Sequence, residues 1–393
     1  MTGRRHDYLI IGGGMTADAA AHAIRAVDPA GSIGLISADS HAPYARPPLS
    51  KGLWRGDPEM GIWRGTESVG VDVRLGRLVT GIDTHAKTVR DDRGDVTTYG
   101  RLLLATGGTP RQLPLPTRQI IYFRTYDDYR RLRALANEKL RFLVLGGGFI
   151  GSEIAAALRL AGRDVAMLVP EQGIGARVFP PELAASLVQY YREQGVDVRT
   201  GEGLAGLIQG AGEVLIKTTR GDELAVDVIV AGLGIQPNVE LAEQAGLRVE
   251  NGIVVDEMLR TSAADVFAAG DVANFYNPAL RARLRVEHED NATAMGAAAG
   301  RVMAGQGEPY THLPFFYSDL FTLGYEAVGE LDSRLQTVAD WKEPFREGVV
   351  YYLKDERVRG VLLWNTWGQV DAARALIAEQ GPVRAEQLKG RLP

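Results

Sequence analysis

The feature that most limits what this chain can become is a glycine pattern that occurs twice. Leu143-Val144-Leu145-Gly146-Gly147-Gly148-Phe149-Ile150-Gly151-Ser152-Glu153 reads as a buried strand, a tight turn and the start of a helix. Gly146, Gly148 and Gly151 fit G-x-G-x-x-G. The first glycine makes the turn, the second lets backbone approach a pyrophosphate, and the third lets the helix pack on the strand. The helix N-terminus offers free N–H groups and about half a positive charge to phosphate. A second copy, Ile10-Ile11-Gly12-Gly13-Gly14-Met15-Thr16-Ala17, follows the apolar run Tyr8–Ile11 and precedes a helix over Ala19–Val27. There Gly12, Gly14 and the accepted small substitute Ala17 take the three places. Two such units in one chain imply two bound dinucleotides, and an enzyme with two dinucleotides usually passes a hydride between them.

Composition narrows the rest. A chain of 393 residues is too long for one typical core, so two or three domains are expected. A net charge of −5 gives no indication of a nucleic-acid surface. Cysteine is absent, which removes disulfides, thiolate metal sites, iron–sulfur clusters and a cysteine redox pair from the chemistry, and no metal is expected. No apolar run approaches the roughly 18 residues of a membrane span. The apolar stretch behind the basic residues of Met1–Asp7 is too short for a signal peptide, so a cytoplasmic protein is the default.

Taken in order, Ser32–Ile36 reads as a second strand, and Asp39 is the acid available after it to bind an adenosine ribose, or else a solvated loop aspartate. Pro43-Tyr44-Ala45-Arg46-Pro47-Pro48-Leu49-Ser50-Lys51 is a proline-stiffened loop in which Ser50 is placed to cap a following helix. Lys51 is either a surface lysine or a fixed positive charge beside a redox centre. Val71–Leu75, Leu78–Ile82 and Thr97–Leu104 read as a small antiparallel meander. The buried run Leu102–Leu104 ends in Ala105-Thr106-Gly107, small residues that allow backbone to approach a ligand. A polar helix is expected over Thr125–Asn137, then a helix Ser152–Leu160 and a strand Asp164–Val169.

Glu171 lies 20 positions after Gly151, where an acid binds the ribose 2′-hydroxyl and repels a 2′-phosphate. That favours NADH over NADPH, with Arg177 nearby weakening the preference. Helix Pro181–Gln194, strand Asp197–Thr200 and meander Gly203–Leu224 follow. Two further buried strands end in small residues, Val226–Asn238 and Ala264–Ala273. In the second, Asp271 either binds a polyol or caps a helix. His288 opens an alanine-rich helix, Asn291–Met303; a lone histidine is more often structural than catalytic. Beyond Pro309 come strands Leu313–Phe316, Gly324–Leu331, Leu335–Trp341, Val349–Lys354 and Val358–Trp364, then a helix Gln369–Gln380.

Together the glycine pairs, Ala105-Thr106-Gly107 and Val266-Phe267-Ala268-Ala269-Gly270-Asp271 resemble the FAD-dependent pyridine nucleotide-disulfide oxidoreductases of the glutathione reductase class. The loop Pro43–Lys51, standing where disulfide reductases carry a cysteine pair, resembles the ferredoxin reductase and apoptosis-inducing factor branch. Gly146–Glu153, Val286-Glu287-His288, Phe316-Tyr317-Ser318-Asp319, Gly324–Gly329 and Gly360–Asn365 resemble apoptosis-inducing factor more closely. The resemblance implies an α/β fold: two Rossmann-like dinucleotide-binding domains plus a C-terminal α+β domain. FAD would occupy residues 1–117 and 245–312, NAD residues 118–244, and the third domain residues 313–393.

The same resemblance implies the site. Lys51 and Glu153 would pair beside the flavin, with Phe149 over it until nicotinamide displaces the ring, and His288 on the other side. Asp271 would bind the ribityl chain, and Arg46 and Arg111 would help hold the cofactor. Val79, Ala105, Thr106, Gly107, Gly270 and Glu287 would join the FAD contacts, and Ile150 and Gly234 the NAD contacts. Three departures stand out: Ala38 where the family has the ribose acid, Tyr317 where it has a tryptophan against nicotinamide, and the short Trp341–Gly348 stretch where apoptosis-inducing factors carry an insertion. With no mitochondrial leader expected, the apoptotic and nuclear roles are not carried over.

The expectation is a FAD-dependent NADH oxidoreductase, a monomer or homodimer, delivering electrons to a ferredoxin, a quinone or oxygen. The alternative is a redox-gated interaction protein with a long-lived reduced FAD–NAD complex and slow turnover.

Overall fold

The apolar runs Tyr8–Ile11 and Leu102–Leu104 carry no polar residue, so strands made from them need cover on both faces, as in a parallel sheet between helical layers. The computed structural model describes residues 4–115, 120–138, 140–210, 213–379 and 381–393. The boundary expected at 117/118, Met1–Gly3 and Gln380 lie outside them. The chain forms two compact units. One holds the residues up to Arg46 with Pro58–Thr109 and Gln236–Pro314; the other holds Pro47–Asp57, Pro110–Ile235 and Phe315–Pro393.

In the first unit a sheet runs Val71–Arg74, Ile33–Ile36, Arg4–Ile11, Val96–Leu104, Thr88–Asp91, Val79–Asp83, with Val266–Ala268 added beside the end of Val96–Leu104. Arg4–Ile11 pairs in parallel with both neighbours, Ile11 lying opposite Ile36 and Leu104. Val71–Arg74 does not belong to the expected meander. It is a parallel neighbour of Ile33–Ile36, and the meander uses Thr88–Asp91 instead. Alternating apolar residues look alike in a parallel edge strand and a hairpin strand, so the pattern alone did not separate them. Helix Met15–Val27 packs along helix Glu289–Met303 through residues with little or no side chain. A Cβ on Gly296 would come within 2.3 Å of the Thr16 carbonyl oxygen, and one on Gly300 within 2.4 Å of that of Ala20.

The second unit repeats the theme. Its five-stranded parallel sheet runs Asp197–Thr200, Asp164–Val169, Arg141–Leu145, Val228–Ala231, Ile120–Tyr122. Helix Tyr126–Ala136 opens on a capping box: the Thr125 hydroxyl accepts the Asp128 N–H, and the Asp128 carboxylate accepts the Thr125 N–H, an arrangement worth about 1 kcal/mol. Strands Leu204–Gln209, Val214–Thr218 and Glu223–Val226 form an antiparallel meander.

A five-stranded antiparallel sheet, ordered Phe315–Leu320, Leu323–Gly329, Arg357–Trp364, Glu347–Lys354, Gln336–Glu343, and helix Val370–Ala378 complete that unit. The first of these strands starts and ends later than expected, because Phe315–Leu320 continues through Tyr317 and Asp319 to pair with Leu323–Val328. Helices begin earlier than their apolar patterns, at Met15, Phe149 and Glu289, since the glycine turns and His288 lead directly into helical backbone. Among the described residues, no helix is long and apolar enough to cross a membrane.

Candidate dinucleotide sites and a buried carboxylate cluster

Each glycine turn is enforced by the strand beside it. Gly12 has φ +118°, and a Cβ there would lie 2.1 Å from the Ala105 carbonyl oxygen; Gly146 has φ +98°, and its Cβ would lie 2.6 Å from that of Gly232. Neither conformation nor space admits a side chain. At Gly14 and Gly148 a Cβ would meet nothing within 4 Å, so these positions open outward. They are the N-cap residues of helices Met15–Val27 and Phe149–Leu160, and no side chain caps either helix. First-turn N–H groups thus remain for an anion. Ala17 is fully buried, and a Cβ on Gly151 would strike the Gly146 carbonyl oxygen at 2.0 Å. Both turns fit the diphosphate of a dinucleotide.

In the first unit the strand ends gather the other candidates. Ala105-Thr106-Gly107 follows Val96–Leu104 and is braced by Asn238, to which sequence reasoning gave no role. The Thr106 hydroxyl donates to the Asn238 carbonyl at 2.8 Å, the Asn238 amide nitrogen donates to the Thr106 carbonyl at 2.9 Å, and the Asn238 backbone N–H donates to Gly107 at 3.0 Å. Asp39 accepts from the His41 backbone N–H and the Tyr44 hydroxyl, whereas Ala38 is exposed. Arg46 lies over the Tyr44 ring. Asp271 falls in a short 3-10 turn after Gly270, with its backbone carbonyl accepting from Arg285. Glu287 pairs with Arg285 at 2.6 Å, His288 is the N-cap residue of helix Glu289–Met303, and Val79 is buried.

In the second unit Lys51 meets Glu153, which is 3% exposed although ionisable. Its Oε1 accepts from Lys51 Nζ and from the Ser318 hydroxyl, both at 2.6 Å, and its Oε2 accepts from the Ser50 hydroxyl at 2.5 Å. Ser50 is therefore not a helix cap. Helix Gly52–Arg55 has Lys51 at its N-cap, and the Ser50 side chain goes to the carboxylate. A buried charge needs such partners more than a short helix needs its cap. Lys51 Nζ also lies 5.1 Å from the Tyr317 ring centre.

Phe149 is half-buried, its ring 5.1 Å from that of Phe316, and Ile150 beside it is exposed. Gly234 has φ +79° with open space at its Cβ position, and its carbonyl accepts the Arg111 N–H. At the expected ribose end, Arg177 pairs with Glu171 at 2.6 Å. Tyr191 donates to the Ser152 carbonyl; burial, and after it the Glu153 charge, raises the pKa of its phenol.

The family model described as pyridine nucleotide-disulphide oxidoreductase matches residues 6–296. The chain belongs to that family. A second model, for the C-terminal part of mitochondrion-associated apoptosis-inducing factor, matches residues 299–344 and 339–379. This oxidoreductase is 35% identical to the ferredoxin–NAD(+) reductase component of the anthranilate 1,2-dioxygenase system of Burkholderia cepacia, over 97% of this chain and 96% of that one. It is 33% identical to apoptosis-inducing factor 1 of Dictyostelium discoideum, over 95% of this chain and 78% of that one. Putidaredoxin reductase in its covalent complex with putidaredoxin superposes with a TM-score of 0.91 at 30% identity, covering 97% and 95% of the two chains.

Members of the pyridine nucleotide-disulphide oxidoreductase family use FAD and NAD(H), and so does this chain. Its fold is the family's pair of dinucleotide-binding domains with a C-terminal α+β domain. The disulphide half of the name has no counterpart here, because the chain contains no cysteine.

Proposed function

We propose that this oxidoreductase oxidises NADH through bound FAD and passes the electrons to a ferredoxin. The observation that carries the reading is the end-to-end match to a ferredoxin–NAD(+) reductase component, with 97% of this chain and 96% of that one aligned. When bound, FAD supplies the conversion of a two-electron donation from NADH into single electrons for the acceptor. The chain's own residues do the rest. The turns at Gly12–Ala17 and Gly146–Gly151 hold the two diphosphates on helix N-termini. Glu171 binds the ribose of NADH, and Asp271 and Arg46 hold FAD. Phe149 gates entry of nicotinamide. Lys51 and Glu153 supply a fixed ion pair, and Glu153 orients the carboxamide. His288 contacts the flavin, and Tyr317 the nicotinamide.

The test is anaerobic reduction by NADH followed by stopped-flow reoxidation with a ferredoxin, a quinone and oxygen in parallel. Fastest reoxidation by the ferredoxin is the expected result; preference for the quinone or oxygen overturns that acceptor. The match of residues 299–379 to the apoptosis-inducing factor C-terminal model favours one rival, a redox-gated interaction protein. A reduced complex that survives air for minutes and turns over slowly with every acceptor would establish it instead.

A further inference from the structure

We infer that Ser50 and Ser318 are positioning residues that fix the Glu153 carboxylate, and through it the Lys51 ammonium. Its bearing on catalysis rests on the role proposed above for the Lys51–Glu153 pair. The donors come from separate stretches: the turn Pro47–Ser50 with Lys51, and strand Phe315–Leu320. A serine hydroxyl has one proton to give. Ser318 gives its proton to Glu153. Tyr325, itself buried, is its cross-strand neighbour.

Aromatic packing continues beyond Tyr325. Its ring stacks on Trp364 at 5.7 Å and 6°, and the Trp364 indole N–H donates to the Phe345 carbonyl at 3.0 Å. In the sheet register Ser318 faces Tyr325, Tyr325 faces Trp364, Trp364 faces Gly348, and Gly348 faces Trp341. One row crosses all five strands and ends on the carboxylate. Nothing in a structural sheet requires a buried hydroxyl at the end of that row. The Glu153 carboxylate does, because each hydrogen bond to a buried charge offsets part of its lost hydration.

The two serines are not equivalent. Among the described residues Ser50 is the only donor to Oε2, whereas Oε1 keeps Lys51 when Ser318 is lost. Ser50→Ala therefore loosens the carboxylate more than Ser318→Ala.

The experiment is mass-spectrometric mapping of lysine modification by trinitrobenzenesulfonate on the full chain, with exposed Lys354 as the internal reference. Lys51 is modified slowly in the unmutated protein. Ser318→Ala speeds it about tenfold, the effect of one hydrogen bond to a charged group. Ser50→Ala speeds it more, Lys354 stays constant, and Ser318→Thr restores the slow rate. An unchanged Lys51 rate in both alanine variants overturns the inference, and so does a parallel rise at Lys354, which would show the serines holding the fold instead. A second arm follows NADH reduction, where Ser318→Ala lowers kcat/KM about tenfold and the threonine variant recovers it. If the unmutated protein is not reduced by NADH, the proposed function fails while the labelling result still decides the positioning role.

Discussion

Arg177 folds back on Glu171 with both guanidinium contacts to one carboxylate oxygen, at 2.6 and 2.8 Å. The pair is solvent-facing, Arg177 being 85% exposed, so its own stabilisation is small. Its charge balance still bears on the nucleotide. Glu171→Ala should narrow the preference for NADH over NADPH by roughly three- to tenfold, and Arg177→Ala should widen it by a few-fold, since the uncompensated acid then faces the added phosphate. The ratio of kcat/KM for the two nucleotides in each variant checks both signs.

The other ion pair at this scale is buried. Lys51→Ala leaves the Glu153 carboxylate with hydroxyl donors alone and should cost about 3–5 kcal/mol of unfolding free energy, as should Glu153→Ala. In a urea double-mutant cycle the double variant should lose clearly less than the sum. Additive losses would mean that the two charges do not depend on each other. From sequence, Glu153 and Lys51 were legible only through a motif resemblance, because 102 positions separate them. Ser50 was misassigned to a helix cap, the commonest local use of its residue type, while its real partner is remote in sequence. Asn238 carried no local signal at all, since its role exists only once strand ends meet.

At the scale of elements, the glycine turns and buried parallel strands were readable because they obey local rules: a residue-free Cβ position, an apolar run, a helix start. Pairing was less readable, as the transfer of Val71–Arg74 to the parallel sheet shows. The helix pair Met15–Val27 and Glu289–Met303 gives a direct test of close packing. Gly296→Ala should lower stability by about 1–3 kcal/mol, seen as a lower urea midpoint at unchanged slope, because its Cβ would meet the Thr16 backbone.

Strand Arg4–Ile11 supplies a pH test. Burial, outweighing the Asp72 carboxylate 3.4 Å away, lowers the pKa of His6 below its usual 6.5. The unfolded chain then binds the proton first, so His6 leaves stability constant above about pH 6.5 and erodes it as pH falls below that value. His6→Gln should flatten the dependence of Tm on pH between about 5 and 7. A slope unchanged by the substitution would assign the acid limb to other groups.

At the scale of the whole molecule, each unit is assembled from three separated stretches of chain. Composition gave no hint that Pro47–Asp57 belongs with the second unit, because a proline loop looks the same wherever it docks. Interleaving has a consequence for truncation. Within the second unit, Phe321 packs against Tyr190 and Tyr191, Tyr325 and Trp364 against Phe179, and the Tyr352 hydroxyl donates to the Val178 carbonyl. A chain ending at Pro314 should therefore expose these aromatic side chains, and should aggregate or lose the melting transition of that unit in calorimetry. An intact second transition would show that the parallel sheet stands without the C-terminal one.

The stacked Tyr325–Trp364 pair gives the protein an optical label of its own. Trp364 is sealed from solvent while Trp367 is half exposed, so iodide should quench one indole and spare the other. Two nearly parallel rings with centres 5.7 Å apart form a coupled chromophore, and its near-ultraviolet circular dichroism depends on their mutual angle. Because the tyrosine of that pair lies opposite Ser318, which donates to the carboxylate, a disturbance at Glu153 should reach the spectrum without any added probe.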